Sequence, residues 1–428
     1  MTAKQSMQPE KAAIHGGKPA LSEPLPPMYP GGMRLDDEEI QAVIEVISNK
    51  RLFRYYGPNK GPSKVAGLEE AFSHLMGTKH ALAVTSGTAA LICGLMGMGI
   101  GPGDEVIVPA YTWIASASAV VAVGAVPIMA EVDASLTLDP NDIENKISPY
   151  TKAIIPVHMR GAPSRMDTIM AIARKHGLKV LEDTAQADGA SFQGRRLGSI
   201  GDAGAFSLQF NKIITSGEGG MLITNEQEVY QRAVMYHDVV GGSRNQIPAD
   251  QILPGVNFRM PELLGAVALV QLRRLDGLLE DMRQRKAILK ANIAEVASRK
   301  GVTFRTIHDA QGDAAISLIF YLPDVPAADR VAKALAAEGV GCMRMFSRER
   351  SDYHVYYHWS PIMNQRAWSE QGGPWRNHPR KVEYSLEMCP QTLDLLGRAA
   401  HLDISPDLST SQLEELAEAV NKVFESEL

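Results

Sequence analysis

At 428 residues, with 45% hydrophobic and 21% charged residues, the chain is long enough to bury a sizeable core, which excludes disorder as its main state. Its 43 basic and 49 acidic residues leave a formal net charge of −6 with no Lys/Arg block to track a phosphate backbone, so nucleic acid is not an expected partner. Its three cysteines, Cys93, Cys342 and Cys389, are too scattered for a disulfide framework or a zinc site and fit a reducing cytoplasm.

Met1 to Glu10 is polar and lacks the apolar stretch of a signal peptide. Residues 1–33, rich in Pro and Gly, read as an extended arm. Asp36 is a plausible helix N-cap with Glu39 three positions on, and Ile40, Val43, Ile44 and Ile47 recur at helical spacing, so a helix is expected over about 37–48. Val65, Leu68, Phe72 and Leu75 repeat the pattern up to Gly77, where a C-cap would fall.

From His80 to about Asn225, short apolar runs alternate with helix-length amphipathic segments. The expected strands are Ala81–Val84, Glu105–Val108, Val126–Ala130, Ala153–Val157, Lys179–Glu182, Ala203–Ser207 and Met221–Thr224. Such alternation predicts an α/β fold with a mainly parallel seven-stranded sheet, whose ligands gather at the carboxyl ends of the strands. The longest apolar run, Ile114 to Ala130, is broken by Ser116, Ser118, Gly124 and Pro127 and falls short of the roughly 20 residues a bilayer requires, so no membrane span is expected. Beyond about 260 come a long helix, Pro261 to Arg299, an alternating run Ala314–Leu322, a helix Pro326–Gly339 and a terminal helix Ser411–Phe424. The expected organisation is therefore an arm (1–33), a large domain (34–260) and a smaller C-terminal α+β domain (261–428). Ser347–Pro390, rich in Tyr, His, Trp and Pro, has no readable period and is expected as ordered surface loop.

Three positions just past strands carry chemistry. Thr85-Ser86-Gly87-Thr88-Ala89-Ala90 places a Ser-Gly-Thr turn at a helix start, where exposed amides bind phosphate. Glu182-Asp183-Thr184-Ala185-Gln186 puts carboxylates at a strand end. Lys212, alone in the apolar and glycine-rich stretch from Ser207 to Gly220, is where a desolvated amine can form a Schiff base. Each signal alone has an ordinary structural explanation; in this order they are the parts of a pyridoxal phosphate enzyme.

These stretches, with Gly101–Pro109, Ile155–Met159, Gly201-Asp202 and Gly255–Met260, resemble the DegT/StrS-like sugar aminotransferase family of fold type I pyridoxal phosphate enzymes, from about Gly16 to the C-terminus. The resemblance implies pyridoxal 5′-phosphate as cofactor, with Lys212 as the Schiff-base lysine and Asp183 as the acid that keeps the pyridine nitrogen protonated. It further implies that Gln186 contacts the phenolic oxygen, that Gly87, Thr88 and Ser207 form the phosphate cup, and that Trp113 stacks on the ring. Asn257 resembles an asparagine that reaches into a neighbouring subunit, implying a homodimer. The implied reaction moves an amino group from glutamate or glutamine to a keto or aldehyde carbon of a sugar, nucleotide-sugar or cyclitol.

Substrate residues are expected around Arg54 and Tyr55, at His158, and at Arg160, which can bind a carboxylate or make a structural salt bridge. His354 and His358 are spaced i, i+4 as metal ligands on a helix would be, yet no third ligand stands nearby. No metal is expected, and the cluster reads as a cover over the site mouth. A sugar dehydratase of the same fold would carry histidine in place of Lys212, and a cofactor-binding regulator would need a DNA-binding module. Motifs of the commoner hydrolases, kinases and dehydrogenases are absent.

Overall fold

The computed structural model describes residues 11–29, 32, 34–59 and 61–428. The polar stretch Met1–Glu10 and the middle of the expected Pro/Gly arm lie outside the described residues.

The large sheet has seven strands: β1 (His80–Val84), β2 (Glu105–Pro109), β3 (Val126–Ala130), β4 (Thr151–Ile154), β5 (Lys179–Asp183), β6 (Ala203–Ser207) and β7 (Gly220–Thr224). Their order is β1-β7-β6-β5-β4-β2-β3. Only β7 runs against the others: it pairs antiparallel with β1 and β6, and the remaining pairs are parallel. Six strands therefore end on one rim, and the hairpin between β6 and β7 closes over it. The strand expected to continue to Val157 stops at Ile154, because Pro156 has no amide to donate and Val157 makes only an isolated bridge to Asp183.

Helix α1 (Asp37–Ser48) starts on the expected capping box, with Glu38 N donating to Asp36 at 2.8 Å and Asp36 N donating to Glu39 at 3.0 Å. Its packing corrects the apolar reading. Buried Glu39 accepts hydrogen bonds from Gln271 at 2.6 Å and Arg274 at 3.0 Å on the long helix Glu262–Arg299, so that face turns inward. Ile40, Ile44 and Ile47 are left 54%, 48% and 57% exposed. Helix α2 (Lys64–Met76) ends at Gly77 in the left-handed region, as expected, and buries Val65, Leu68, Phe72 and Met76. Phe72 meets Phe206 of β6 edge-on at 5.0 Å between ring centres.

Helix α3 (Gly87–Gly97) follows β1, and α4 is the 38-residue helix Glu262–Arg299. After α4 a small antiparallel sheet forms from β8 (Thr303–Phe304), β9 (Ser317–Tyr321) and β10 (Ala399–Asp403), in that order. Strand β9 is shorter than the alternating run suggested, since Ala315 takes a positive φ of 62°. Helices Val325–Ala337 and Thr410–Glu427 accompany this sheet, and Phe424 packs on Phe320. The described part of the N-terminal arm docks nearby: Ala13 and Ala20 amides donate to buried Glu338 at 2.7 and 2.8 Å.

Phe72→Ala should cost about 3–5 kcal/mol, because it empties a closed aromatic contact between α2 and the sheet. Chemical denaturation with loss of Trp fluorescence measures this, and a loss under 1 kcal/mol would mean that the layer repacks.

Candidate active site

The phosphate-cup residues meet because two glycines permit it. Ser86 caps α3 by accepting from Ala89 N at 3.1 Å, leaving the Gly87 and Thr88 amides without an acceptor among the described residues. A Cβ on Gly87 would lie 2.7 Å from Ser207 Cβ, and one on Gly220 only 2.3 Å from the Ser86 carbonyl. The bare backbones thus bring the start of α3 against the end of β6. The result is a cluster of amides and a hydroxyl at the positive end of a helix, suited to a dianion.

At the end of β5 three acids occupy seven residues with very different partners. Glu182 is saturated: it accepts from Ile200 and Gly201 amides at 2.7 and 2.6 Å, from Gly198 N at 2.9 Å, and from His158 Nε2 at 3.0 Å. Asp183 accepts from Ser116 Oγ at 2.7 Å and Ala185 N at 3.1 Å, and Ser116 is itself joined to Thr112 at 2.8 Å. Burial pushes the Asp183 carboxyl above its ordinary range, against those hydrogen bonds and the nearby Lys212 charge. Asp188, fully buried, has no partner on either oxygen among the described residues.

Lys212 sits in the β6–β7 hairpin, which its own backbone holds shut. Leu208 N donates to Gly219 O at 2.9 Å, Phe210 N to Gly217 O at 3.0 Å, and Lys212 N to Gln209 O at 3.0 Å. Burial pushes its amine below the usual lysine value; Asp188 and then Asp183 pull the other way, and Arg160 adds to the depression. Gln186 is oriented by Arg160, whose amide donates to Oε1 at 3.1 Å, so the Gln186 amide nitrogen is left to donate.

The remaining expected residues divide sharply. Trp113 is 47% exposed, so it is not core. It lies under Tyr353 and His354, with ring centres 6.4 and 5.0 Å away. The aperiodic segment brings them there by backbone pairing, Thr112 N to His354 O at 2.8 Å and Ile114 N to Tyr353 O at 3.0 Å. Arg160 also reaches the pocket, its nearest carboxylate being Asp403 at 3.8 Å, and its Nε has no partner among the described residues.

Other expected substrate residues are committed within the protein. His158 is fully buried, with Nε2 on Glu182 and Nδ1 accepting from Ser164 N at 3.1 Å, which leaves it no polar atom for a ligand. His358 bonds the Ser347 carbonyl at 2.9 Å and packs on Phe346. Arg54 pairs with buried Glu69. Tyr55 lies under Arg244, which with Arg259 pairs to Asp238 at 3.0 and 2.7 Å. Asn257 is exposed beside this cation and aromatic cluster and makes no hydrogen bond to the pocket residues above. Among the described residues no group of three His, Cys, Asp or Glu side chains is placed to hold a metal.

The sequence reading missed Ser116, Asp188, Arg305 and Tyr111. Ser116 stands four residues after Thr112 on the first turn of a helix, and Asp188 two residues past the quoted Asp183–Gln186 stretch, so spacing from known site residues was the available signal. Arg305 donates to Met159 O at 3.1 Å and Arg160 O at 3.3 Å from the far side of the chain, and no local pattern marks it. The buried Tyr111 hydroxyl lies near Arg160 without hydrogen-bond geometry to any partner among the described residues.

The unpaired donors of α3, the half-filled Asp183 and the free Gln186 nitrogen fit a ligand with an anion at one end and a protonated ring nitrogen at the other, as pyridoxal phosphate has. Comparison with known proteins agrees. The model of the DegT/DnrJ/EryC1/StrS aminotransferase family matches residues 33–421. The spore coat polysaccharide biosynthesis protein SpsC of Bacillus subtilis is 33% identical over 405 residues, 90% of this chain and 94% of its own. An L-glutamine:2-deoxy-scyllo-inosose aminotransferase of Streptoalloteichus tenebrarius is 36% identical over 315 residues, 70% of this chain and 73% of its own. The crystal structure of 3-amino-5-hydroxybenzoic acid synthase superposes with a TM-score of 0.78 at 28% identity, over 94% of this chain and 99% of that one.

Fold and pocket together are those of a pyridoxal phosphate-dependent aminotransferase of fold type I. The chain belongs to the DegT/DnrJ/EryC1/StrS aminotransferase family.

Gly87→Ala should weaken cofactor binding at least about tenfold (1.4 kcal/mol), since the new methyl forces α3 away from Ser207. Titrating cofactor-free protein with pyridoxal phosphate reads this directly, and an unchanged dissociation constant would remove α3 from the phosphate site.

Proposed function

We propose that this aminotransferase moves an amino group from glutamine or glutamate to the carbonyl carbon of a keto-sugar, nucleotide-sugar or cyclitol, with Lys212 and Asp183 as its catalytic residues. The observation that carries this is the convergence of a depressed lysine amine, a buried carboxylate and an unpaired helix start on one rim of the sheet. Bound pyridoxal phosphate supplies an aldehyde that accepts the amino group and a cationic ring that stabilises the electron pair left when a neighbouring C–H proton departs.

The protein's own groups do the rest. Gly87, Thr88 and Ser207 would hold the phosphate. Asp183, oriented by Ser116 and Ala185, would hold the proton on the ring nitrogen, because a carboxylate in hydrogen-bond reach raises that nitrogen's pKa. Gln186 would donate to the phenolic oxygen, and Trp113 would cover one ring face and exclude water. The Lys212 amine, neutral more readily than a surface lysine, takes a proton from the substrate carbon and returns it elsewhere. Arg160, paired only loosely with Asp403, is suited to the carboxylate of the amino donor.

We place the working unit as a homodimer in the cytoplasm. The stripe Ile40, Ile44 and Ile47 with Leu52 and Tyr56 is apolar, exposed and contiguous along the chain, as an isologous interface requires. Asn257, exposed and bridged to Asp238, would reach a partner's phosphate site. All three cysteines are free and buried, and no helix among the described residues is long and apolar enough to cross a membrane.

Lys212→Ala should abolish amino transfer from glutamine to keto-cyclitol or nucleotide-keto-sugar acceptors while leaving the circular dichroism spectrum unchanged; residual turnover above background would refute the lysine's role. Asn257→Ala should lose cofactor at limiting concentration. Mixing the two proteins at limiting cofactor should restore activity beyond their sum, since one hybrid site then holds both native residues. No gain on mixing would mean a self-contained site.

A further inference from the structure

The pocket holds a second acid that these roles leave unused. Asp188 is 0% exposed, and both its carboxylate oxygens lack a hydrogen-bond partner among the described residues. A carboxylate buried without a donor is among the costliest placements a side chain can have, so its persistence calls for a partner that comes and goes.

Its position is rigid. The turn from Thr184 to Ala190 is closed by Ala187 N to Thr184 O at 2.8 Å and Ala190 N to Ala187 O at 3.0 Å. Gly189 takes φ +74° and lies so near α4 that a Cβ would come within 2.8 Å of Leu275 and Leu279. The charged groups facing Asp188 and its surroundings are Lys212 from the β6–β7 hairpin, Asp183 from the end of β5 and Arg160 from the turn after β4. His158 stands behind Asp183, already bound to Glu182. From beneath, α4 presents the apolar Leu275 and Leu279. Lys212 is the cation felt most strongly by Asp188, and of the two acids near Lys212 it is Asp188 that acts more strongly.

We propose that Asp188 is a positioning residue for the Lys212 amine: on release from covalent engagement the amine turns to this unpartnered carboxylate and shares one proton with it. The step is a proton transfer alone, Asp–COOH with Lys–NH2 on one side and Asp–COO⁻ with Lys–NH3⁺ on the other. It holds the amine inside the pocket in the half of the cycle when nothing else anchors it. This inference rests on the Lys212 assignment made above.

The sign of the effect is fixed. A carboxylate beside the amine favours ammonium and raises the pH at which the amine becomes neutral, and removing that charge lowers it. The test uses cofactor-free protein and salicylaldehyde, an aldehyde with neither ring nitrogen nor phosphate, trapped on lysine by cyanoborohydride and located at Lys212 by peptide mass spectrometry across neutral to alkaline pH. Asp188→Asn should move the midpoint of Lys212 labelling down by at least about one pH unit, so that below the wild-type midpoint the variant labels about tenfold faster. Asp183→Asn should move it less. A midpoint unchanged in Asp188→Asn overturns the proposal. Should that variant fail to fold, Asp188→Leu, which removes the charge and the buried polar atoms together, carries the same expectation. If Lys212 takes no label in the wild-type protein, the lysine assignment itself fails and this inference falls with it; labelling with an unmoved midpoint sinks this inference alone.

Discussion

Carboxylates and a lysine amine withdrawn from water at one rim of a sheet are the constraint on which this molecule turns. Charge is expensive in a low-dielectric interior, and it is tolerated only where opposite charges or oriented dipoles stand close by. The topology supplies that closeness. Because six strands run the same way, β1, β4, β5 and β6 deliver Ser86, Arg160, Asp183 and Ser207 to one edge, and the reversed β7 folds the Lys212 hairpin back over them. Residues more than 120 positions apart then share an electrostatic environment that no local sequence could create.

Three acids near the end of β5 show how one short stretch can carry three functions by differences in wiring. Glu182 accepts four hydrogen bonds and has no capacity left, so it acts as a clasp for the loop around Gly198–Gly201 and for His158. Asp183 accepts two, which fix its orientation and leave lone pairs for a cationic ligand. Asp188 accepts none among the described residues. The gradient from saturated to unpaired is set by neighbours rather than by residue type, since all three are carboxylates withdrawn from water within seven residues.

Much of this was legible in sequence, and the part that was not has a physical reason. Strand positions, the Asp36 capping box and the Gly77 cap follow from local periodicity and turn chemistry, and all appear. The proposed grouping of Gly87, Asp183 and Lys212 was read from their order along the chain, each at or just past a strand end, and the role of Gln186 was implied by the family resemblance alone. Local pattern misled where tertiary partners decide. The Ile40, Ile44 and Ile47 stripe has the period of a core face, yet the helix docks by the face that carries Glu39, bound to Gln271 and Arg274 more than 230 residues on, and Val46. His158 was expected among the substrate residues, and its two ring nitrogens are spent on Glu182 and Ser164. The His354 and His358 spacing suggested a shared face. In the fold one joins Trp113 through backbone pairing while the other turns away to Ser347, since no regular helix spans them.

Arg160 ties the large sheet to the small one. It adopts φ 53°, a left-handed conformation that costs a non-glycine residue free energy, and it does so directly before Gly161 at φ 81°. The turn is kept by Arg305, which is buried at the edge of the small sheet and grips the Met159 and Arg160 carbonyls, while Arg160 N fixes Gln186. Burial lowers the Arg305 pKa, and Asp313 counters it. One guanidinium from the small sheet therefore sets a strained backbone turn that orients both the Gln186 amide and the Arg160 side chain. The turn is one of several links between the two sheets, with Tyr321 Oη donating to Ala134 O at 2.9 Å and Ala314 N to Gly161 O at 3.0 Å, and it is the link that also reaches Gln186.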